Sequence, residues 1–350
     1  MFFFVDPIKP LDNASHNIDV EWFVKNLLDN ESKAFGRGFA TNECNSKSKI
    51  GYRLGTLFRL TVVASGNAIR AIKLARHVEL TVFNPNEDPI SLFILQKLRS
   101  LSRSNFTIKS RFICNRDRML LRKNSIPVNY LKKKISSSKR YGDKFSAETI
   151  TYSEFLSHEF GTEVEFVPYP PIDTRFSELH VLRDDDLYVS LGAARKDKGF
   201  EVLPVWIDQI TQGNPKAHFI VQKASKEWVG YNRALEEISK LNNVTILPSF
   251  IDEKSQYEIL VSANAFLAPY DHATYQFRGS AFARRAMYLG KPICVTLGTS
   301  MSLDAERHNL LISHKSIVNE LSLSKDRSSS QAVGMALQVE SIQIWKTFLL

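Results

Sequence analysis

Leu191-Gly192-Ala193-Ala194-Arg195-Lys196-Asp197-Lys198-Gly199-Phe200 is the stretch on which the reading of this chain turns. The apolar run Leu187-Tyr188-Val189-Ser190 before it predicts a strand, and the run from Glu201 to Ile210 after it predicts a helix. A glycine turn between strand and helix, flanked by cations, is suited to an anion. Gly192 lets the backbone turn without a Cβ clash. A helix N-terminus offers unpaired N–H groups and partial positive charge. Arg195 and Lys198 add charge-assisted donors. Taken alone the stretch also fits a solvated turn, so a second motif has to agree with it.

That second motif lies about eighty residues on. Ala265-Phe266-Leu267-Ala268-Pro269-Tyr270 predicts a buried strand ended by proline. The polar loop Asp271-His272-Ala273-Thr274-Tyr275-Gln276-Phe277-Arg278 follows. Gly279-Ser280 then leads into a helical run that stops at Gly290, with Pro292 beyond, and Pro292–Thr296 reads as a short strand. Two strand–loop–helix units of this kind bring their loops together at the carboxyl ends of a parallel sheet, where such sheets bind ligands. Between them, Asn243–Leu247 predicts a strand and Asp252–Ser262 a helix.

The order strand, Gly-x-x-Arg-x-x-Lys-Gly, helix, then Pro269-Tyr270, Arg278-Gly279-Ser280 and Ala286-Met287-x-x-Gly290-Lys291-Pro292, resembles the donor domain of retaining GT-B-fold glycosyltransferases of the family 4 type. The resemblance covers residues 180–300. It implies an α/β protein of two Rossmann-like domains facing each other across a cleft. Residues 1–172 would bind the acceptor, residues 173–330 the sugar-nucleotide donor, and a helix over 331–350 would cross back to the first domain. It implies that Gly192, Arg195, Lys198 and Gly199 hold the donor diphosphate, and that Arg278, Gly279 and Ser280 hold phosphate and sugar. His16, in the loop Leu11–Asn17 after a first strand at residues 2–6, and Asp271 and Tyr275 are the candidate catalytic residues. The donor nucleotide sugar is a substrate, so no cofactor is expected, and Asp184-Asp185-Asp186 reads as a solvated turn and not as metal ligands, so no metal is expected. Transfer would retain the anomeric configuration. One departure is plain. The family's Glu-x7-Glu pair, which meets the transferred sugar and the donor ribose, is replaced here by Phe277 and Arg285. The pattern Tyr275-x-x-Arg278-x-Ser280 stands in its neighbourhood instead.

Composition bounds the rest. The chain has 350 residues, 43% of them apolar and 24% charged, which suits two soluble domains. Cys44, Cys114 and Cys294 fit neither a zinc spacing nor a disulfide framework, so a reducing cytoplasm is expected. The opening Met-Phe-Phe-Phe-Val-Asp-Pro lacks the basic leader of a signal peptide. No run approaches the ~20 apolar residues of a membrane span. The net charge is +9, and the window from Arg116 to Lys144 holds ten cations against Asp117 and Asp143. A basic segment interleaved with Leu120, Leu121, Val128 and Tyr130 could face anionic lipid headgroups, which implies a peripheral protein at the inner face of a membrane. Nucleic-acid phosphates are the less favoured partner.

Elsewhere residues 18–29 and 90–101 predict helices. Arg59–Ala64, with its Thr61-Val62-Val63 run, predicts a strand, as do Glu79–Phe83 and Thr107–Cys114. Asn86 and Asp88, after the second of these, are acceptor-site candidates. Thr149–Phe160 predicts a helix, Glu163–Val167 a strand, and Pro168–Asp173 an extended connector. Glu201 and Glu258 are read as helix-surface residues. Four functions fit this pattern: a glycosyltransferase acting on a glycan, lipid-linked or other glycoconjugate acceptor; a non-catalytic GT-B binding protein; a basic nucleic-acid-binding or modifying protein; and a sugar-nucleotide epimerase of the same fold.

Overall fold

The computed structural model describes residues 1–5, 8–9, 23–24, 26–28, 33–35, 39–40, 49–84, 89–114, 133, 135, 141–171, 186–312 and 327–350. The chain divides into two compact units, Met1–Pro170 with Gln343–Leu350, and Pro171–Ile342.

The first unit holds strands β1 (Phe2–Phe4), β2 (Ile8–Lys9), β3 (Lys33–Phe35) and β4 (Phe39–Ala40), helix α1 (Lys49–Leu74), β5 (Thr81–Asn84), α2 (Pro89–Ser102), β6 (Thr107–Phe112), β7 (Lys144–Ala147), α3 (Ile150–Phe160) and β8 (Glu165–Phe166). Six strands form one parallel sheet in the order β3-β1-β5-β6-β7-β8. β1 is wholly apolar and buried, as a strand covered on both faces requires, whereas β6 also buries the polar side chains of Lys109, Ser110 and Arg111. Phe2, Phe4, Phe83, Val167, Trp345 and Phe348 share one core cluster. Each such side chain stabilises the fold by ~1.5–3 kcal/mol. Helix α3 starts where Thr149 Oγ accepts from Tyr152 N, and it stops where Gly161 takes a left-handed φ of 60°.

The strand expected at Arg59–Ala64 is instead the middle of α1. Its buried apolar residues are Leu60, Ala64, Ala68 and Ala71, a helical spacing, and Val62 points outward at 53% exposure. The β-branched run suggested a strand locally. Burial of one alanine-rich face favours the helix. Of the cations expected in the basic segment, Lys133 and Lys144 are described. Lys144 lies in β7, with its amine on the Thr347 carbonyl at 2.8 Å. Asp143 is fully buried in a bidentate pair with Arg99. The other cations of that segment, His16, Asn86 and Asp88 lie outside the described residues.

The second unit holds β9 (Leu187–Ser190), α4 (Leu203–Gly213), β10 (His218–Gln222), α5 (Val229–Ser239), β11 (Val244–Leu247), α6 (Glu253–Ser262), β12 (Ala265–Ala268), the single turn α7 (His272–Tyr275), α8 (Ala281–Tyr288), β13 (Ile293–Val295), α9 (Ser300–Arg307), β14 (Leu311–Ile312) and the larger part of α10 (Arg327–Leu349), whose end from Gln343 onward belongs to the first unit. Its sheet runs β11-β10-β9-β12-β13-β14, all parallel. Alternate strand residues supply opposite faces. Leu187, Val189, Phe266 and Ala268 enter one core cluster, and Tyr188, Ala265 and Leu267 enter the other. This period of two is what a sheet covered on both sides requires. The order is doubly wound, and it reverses between β9 and β12. In sheets of this kind the ligand site lies at such a reversal, outside the carboxyl ends of the strands.

Candidate functional site

Both motifs singled out in the sequence leave the sheet at that reversal, one from β9 and one from β12. Gly192 follows β9 with φ +88°, and its N–H donates to Gln222 Oε1 at 2.7 Å. Gln222, at the end of β10, in turn donates to the Ser249 carbonyl at 2.9 Å, so three strand ends are tied together. A Cβ on Gly192 would sit 2.6 Å from Lys198 Nζ and 2.8 Å from the Phe282 ring. Glycine is therefore required twice over at this position, by conformation and by space.

The helix expected from Glu201 begins later. Lys196–Lys198 and Phe200–Val202 are short 3-10 turns, and α4 proper starts at Leu203 with proline in its first turn. Gly199 joins the two turns at φ +65°, and a Cβ there would fall 1.6 Å from the Pro269 carbonyl. The first loop thus rests directly on the end of β12. Asp271 N donates to the Asp197 carbonyl at 2.9 Å and locks the two loops backbone to backbone.

Asp197 is the hub of the side chains. Its carboxylate accepts from Arg195 at 3.0 and 3.2 Å and from Arg278 at 3.0 Å. Arg195 also donates to Tyr275 Oη at 3.0 Å, and the Arg278 guanidinium lies 5.2 Å from the Tyr275 ring centroid. Lys198 is half-buried beside these two arginines. No hydrogen bond or ion pair to another described residue holds its amine. Burial, then Arg195 and Arg278, push its pKa down to about 7, against the opposing pull of Asp197. Two guanidinium groups and an amine that an anion would recharge thus meet around one carboxylate, which leaves an excess of positive charge for an incoming anion.

The structure places the other expected residues as follows. Ser280 caps α8 by accepting from Ala283 N, and its Oγ lies 3.2 Å from Tyr270 Oη. Asp271 caps α7 by accepting from Thr274 N at 2.8 Å, and hydrogen bonds from the Thr274 side chain and then its backbone hold the Asp271 carboxyl below the usual range. Tyr275 is 1% exposed and packs on Tyr270 with ring centroids 4.5 Å apart. Burial raises its phenol pKa. Gly279 lies between Arg278 and the cap of α8. Ser300 Oγ donates to the Arg278 carbonyl at 2.7 Å, which steadies that loop from α9.

The sequence reading missed several residues. Asp197 sits inside the quoted stretch but was passed over for its cationic neighbours. Gln222 had only its place at a strand end to mark it. Arg285, where the resemblance would put a carboxylate, is buried over the Tyr257 ring at 5.2 Å, and it brings Glu253 to 3.4 Å. Glu253 therefore supplies a carboxylate next to the position that lacks one. Glu201 is in a 3-10 turn instead of on a regular helix surface, and it accepts from Trp228 Nε1 at 2.5 Å. The two residues line a groove of about 590 Å³ that opens beside Arg195. Among the described residues no group of three or more His, Cys, Asp or Glu is placed to hold a metal ion.

No protein-family model and no curated protein sequence matches the chain. Solved structures do. A trehalose-6-phosphate protein from E. coli bound with UDP-2-fluoro glucose is 8% identical, with TM-score 0.60 over 98% of this chain and 96% of that one. HepE from Anabaena in complex with UDP is 12% identical, with TM-score 0.60 over 99% and 96%. The trehalose 6-phosphate synthase of Burkholderia multivorans is 8% identical, with TM-score 0.59 over 99% and 95%. The fold is GT-B. At these identities the likeness is one of architecture, two Rossmann-like units, and the site has to be argued from its own residues.

Proposed function

We propose that the protein is a glycosyltransferase that moves a sugar from a nucleoside diphosphate sugar to a glycan, lipid-linked or other glycoconjugate acceptor. One observation carries the reading. At the reversal of a doubly wound sheet, Arg195, Lys198 and Arg278 converge from two loops on a spot that a single carboxylate, Asp197, only partly neutralises. The GT-B structures bound with UDP or UDP-2-fluoro glucose support the choice of ligand.

In this reading the diphosphate lies against Lys198 and the two guanidinium groups, with backbone N–H groups of residues 279–281 on its other side. Glycosyl transfer breaks the bond between the anomeric carbon and the diphosphate oxygen, so negative charge grows on the leaving group. Fixed cations stabilise that charge in the transition state more than in the ground state. The acceptor hydroxyl attacks on the face the diphosphate leaves, with retention of configuration. Its proton passes to the departing phosphate oxygen, so no protein base is needed, and same-face attack needs no protein nucleophile. The side chains and amides suffice for the diphosphate charge in this assignment, without a metal ion. Glu253, presented by Arg285, is the carboxylate available to the donor ribose. Asp271 and Tyr275 act by shaping the loop that carries Arg278.

The test is release of nucleoside diphosphate from a panel of sugar nucleotides. Wild type turns over one donor family, and the double variant Arg195→Ala, Lys198→Ala loses at least ~100-fold in rate, the scale for removing donors aimed at a developing oxyanion. Unchanged turnover in the double variant would sink the proposal. Tight nucleotide binding with no turnover of any donor would favour the non-catalytic GT-B reading, which the cation at position 285 motivates.

A further inference from the structure

The longest helix of the first unit has an outer face unlike that of a soluble protein. Helix α1 spans 26 residues and contains no Asp or Glu, against Lys49, Arg53, Arg59, Arg70 and Lys73. Its buried line is Leu60, Ala64, Ala68 and Ala71. On the opposite side, where charged side chains belong, stand Phe58, Val62 and Ile69, exposed by 69%, 53% and 49%. At ~100° per residue these three fall within about 40° of one line along the helix. Lys73 follows on the same face, and Arg76 lies just past the helix end, both exposed.

We infer that this face of α1 docks on an anionic lipid bilayer. An apolar line edged by cations, with no acid on the helix, is the pattern of a helix that lies in the membrane interface with its apolar side chains among the acyl chains. Charge complementarity selects the occupant. A second copy of a chain with net charge +9 would bring like charges together, whereas an anionic leaflet attracts each cation. Among the described residues no helix is long and apolar enough to cross a membrane, so α1 would lie on the surface. The inference is independent of the donor site, which belongs to the other unit.

The experiment is flotation with vesicles of phosphatidylcholine alone or of phosphatidylcholine with phosphatidylglycerol. Wild type floats only with the anionic vesicles. The triple variant Phe58→Ser, Val62→Ser, Ile69→Ser partitions at least ~tenfold less. The variant Lys73→Glu, Arg76→Glu also loses at least ~tenfold. These side chains are exposed, so both variants keep the wild-type melting temperature. Three outcomes overturn the inference. The α1 variants could float as wild type does. Vesicle binding could be lost only on changing Lys132, Lys133 and Lys134 to Gln, which would move the surface to the basic segment. Sedimentation could show a dimer that the triple variant dissolves, which would make the face a protein interface.

Discussion

Lys198 offers the most quantitative test of the site, because its charge depends on whether an anion is present. In the unliganded protein its pKa is pushed down to about 7 by burial and by Arg195 and Arg278. A diphosphate placed against the amine restores the charged form and takes the pKa back towards its ordinary value. Binding is therefore coupled to uptake of one proton wherever the free site is neutral. If the bound form stays protonated, affinity scales with the protonated fraction of the free enzyme. It falls about fivefold from pH 7 to 8 and about tenfold per unit beyond that, about fifty-fold in all between pH 7 and 9. At pH 8 about 0.9 proton enters with each ligand. The ligand should be an intact sugar nucleotide, because a terminal phosphate titrates near pH 6 and would add its own dependence. Titration calorimetry at pH 8 in buffers of different ionisation enthalpy measures the uptake directly. Lys198→Ala should bind weakly with no uptake. Affinity that is flat from pH 7 to 9, with no proton taken up by wild type, would refute the reasoning.

Further consequences follow from the same geometry. For the unliganded protein, a lysine whose folded pKa lies below its unfolded value makes stability rise with pH between the two, since there the unfolded chain binds the extra proton. Lys198→Met should therefore stabilise the fold at pH 6 by up to ~2–4 kcal/mol, read as a higher melting temperature, and leave stability near wild type at pH 10. Asp197→Asn removes the one carboxylate between Arg195 and Arg278. The unliganded protein should lose ~1–3 kcal/mol in thermal unfolding, while its melting-temperature rise with inorganic pyrophosphate should increase. Gly199→Ala drives a Cβ into the Pro269 carbonyl and should cost more than ~3 kcal/mol, read as loss of soluble, cooperatively unfolding protein. Gly192→Ala meets the mobile end of Lys198 and the Phe282 ring, so it should fold less stably and lose nucleotide binding. Glu253→Gln should raise the donor KM with a smaller change in kcat, the mark of a group that binds donor without touching the reacting bond.

The architecture of the second unit was readable because its signals are local. Leu187–Ser190, Ala265–Ala268 and Asp252–Ser262 each carry their own pattern of apolar period, cap or proline, and each appears where the pattern places it. Arg59–Ala64 was misread because three β-branched neighbours speak for a strand over a few residues, whereas the deciding evidence, alanines at 64, 68 and 71 packed inward, extends over a longer window. The start of α4 was read too early because nothing in Phe200-Glu201-Val202 separates a 3-10 turn from an α-helical one. The contact of Gly199 with Pro269 sets it. Within the site, glycines and cations were visible at fixed spacings. The part played by Asp197 was not, because a carboxylate among cations reads as a solvated turn until the second loop delivers Arg278 to it. Glu253 was hidden for the same reason, since its role depends on Arg285, 32 residues away.

The most direct test of the central claim is a thermal-shift screen of sugar nucleotides and nucleoside diphosphates, run on wild type beside Lys198→Ala. A ligand that binds only the folded state raises the melting temperature by mass action, by ~2.7 kcal/mol of stability at a hundredfold excess over Kd. The account predicts a rise with one nucleotide family in wild type and none in the variant. No rise with any nucleotide, or the same rise in Lys198→Ala, would contradict it.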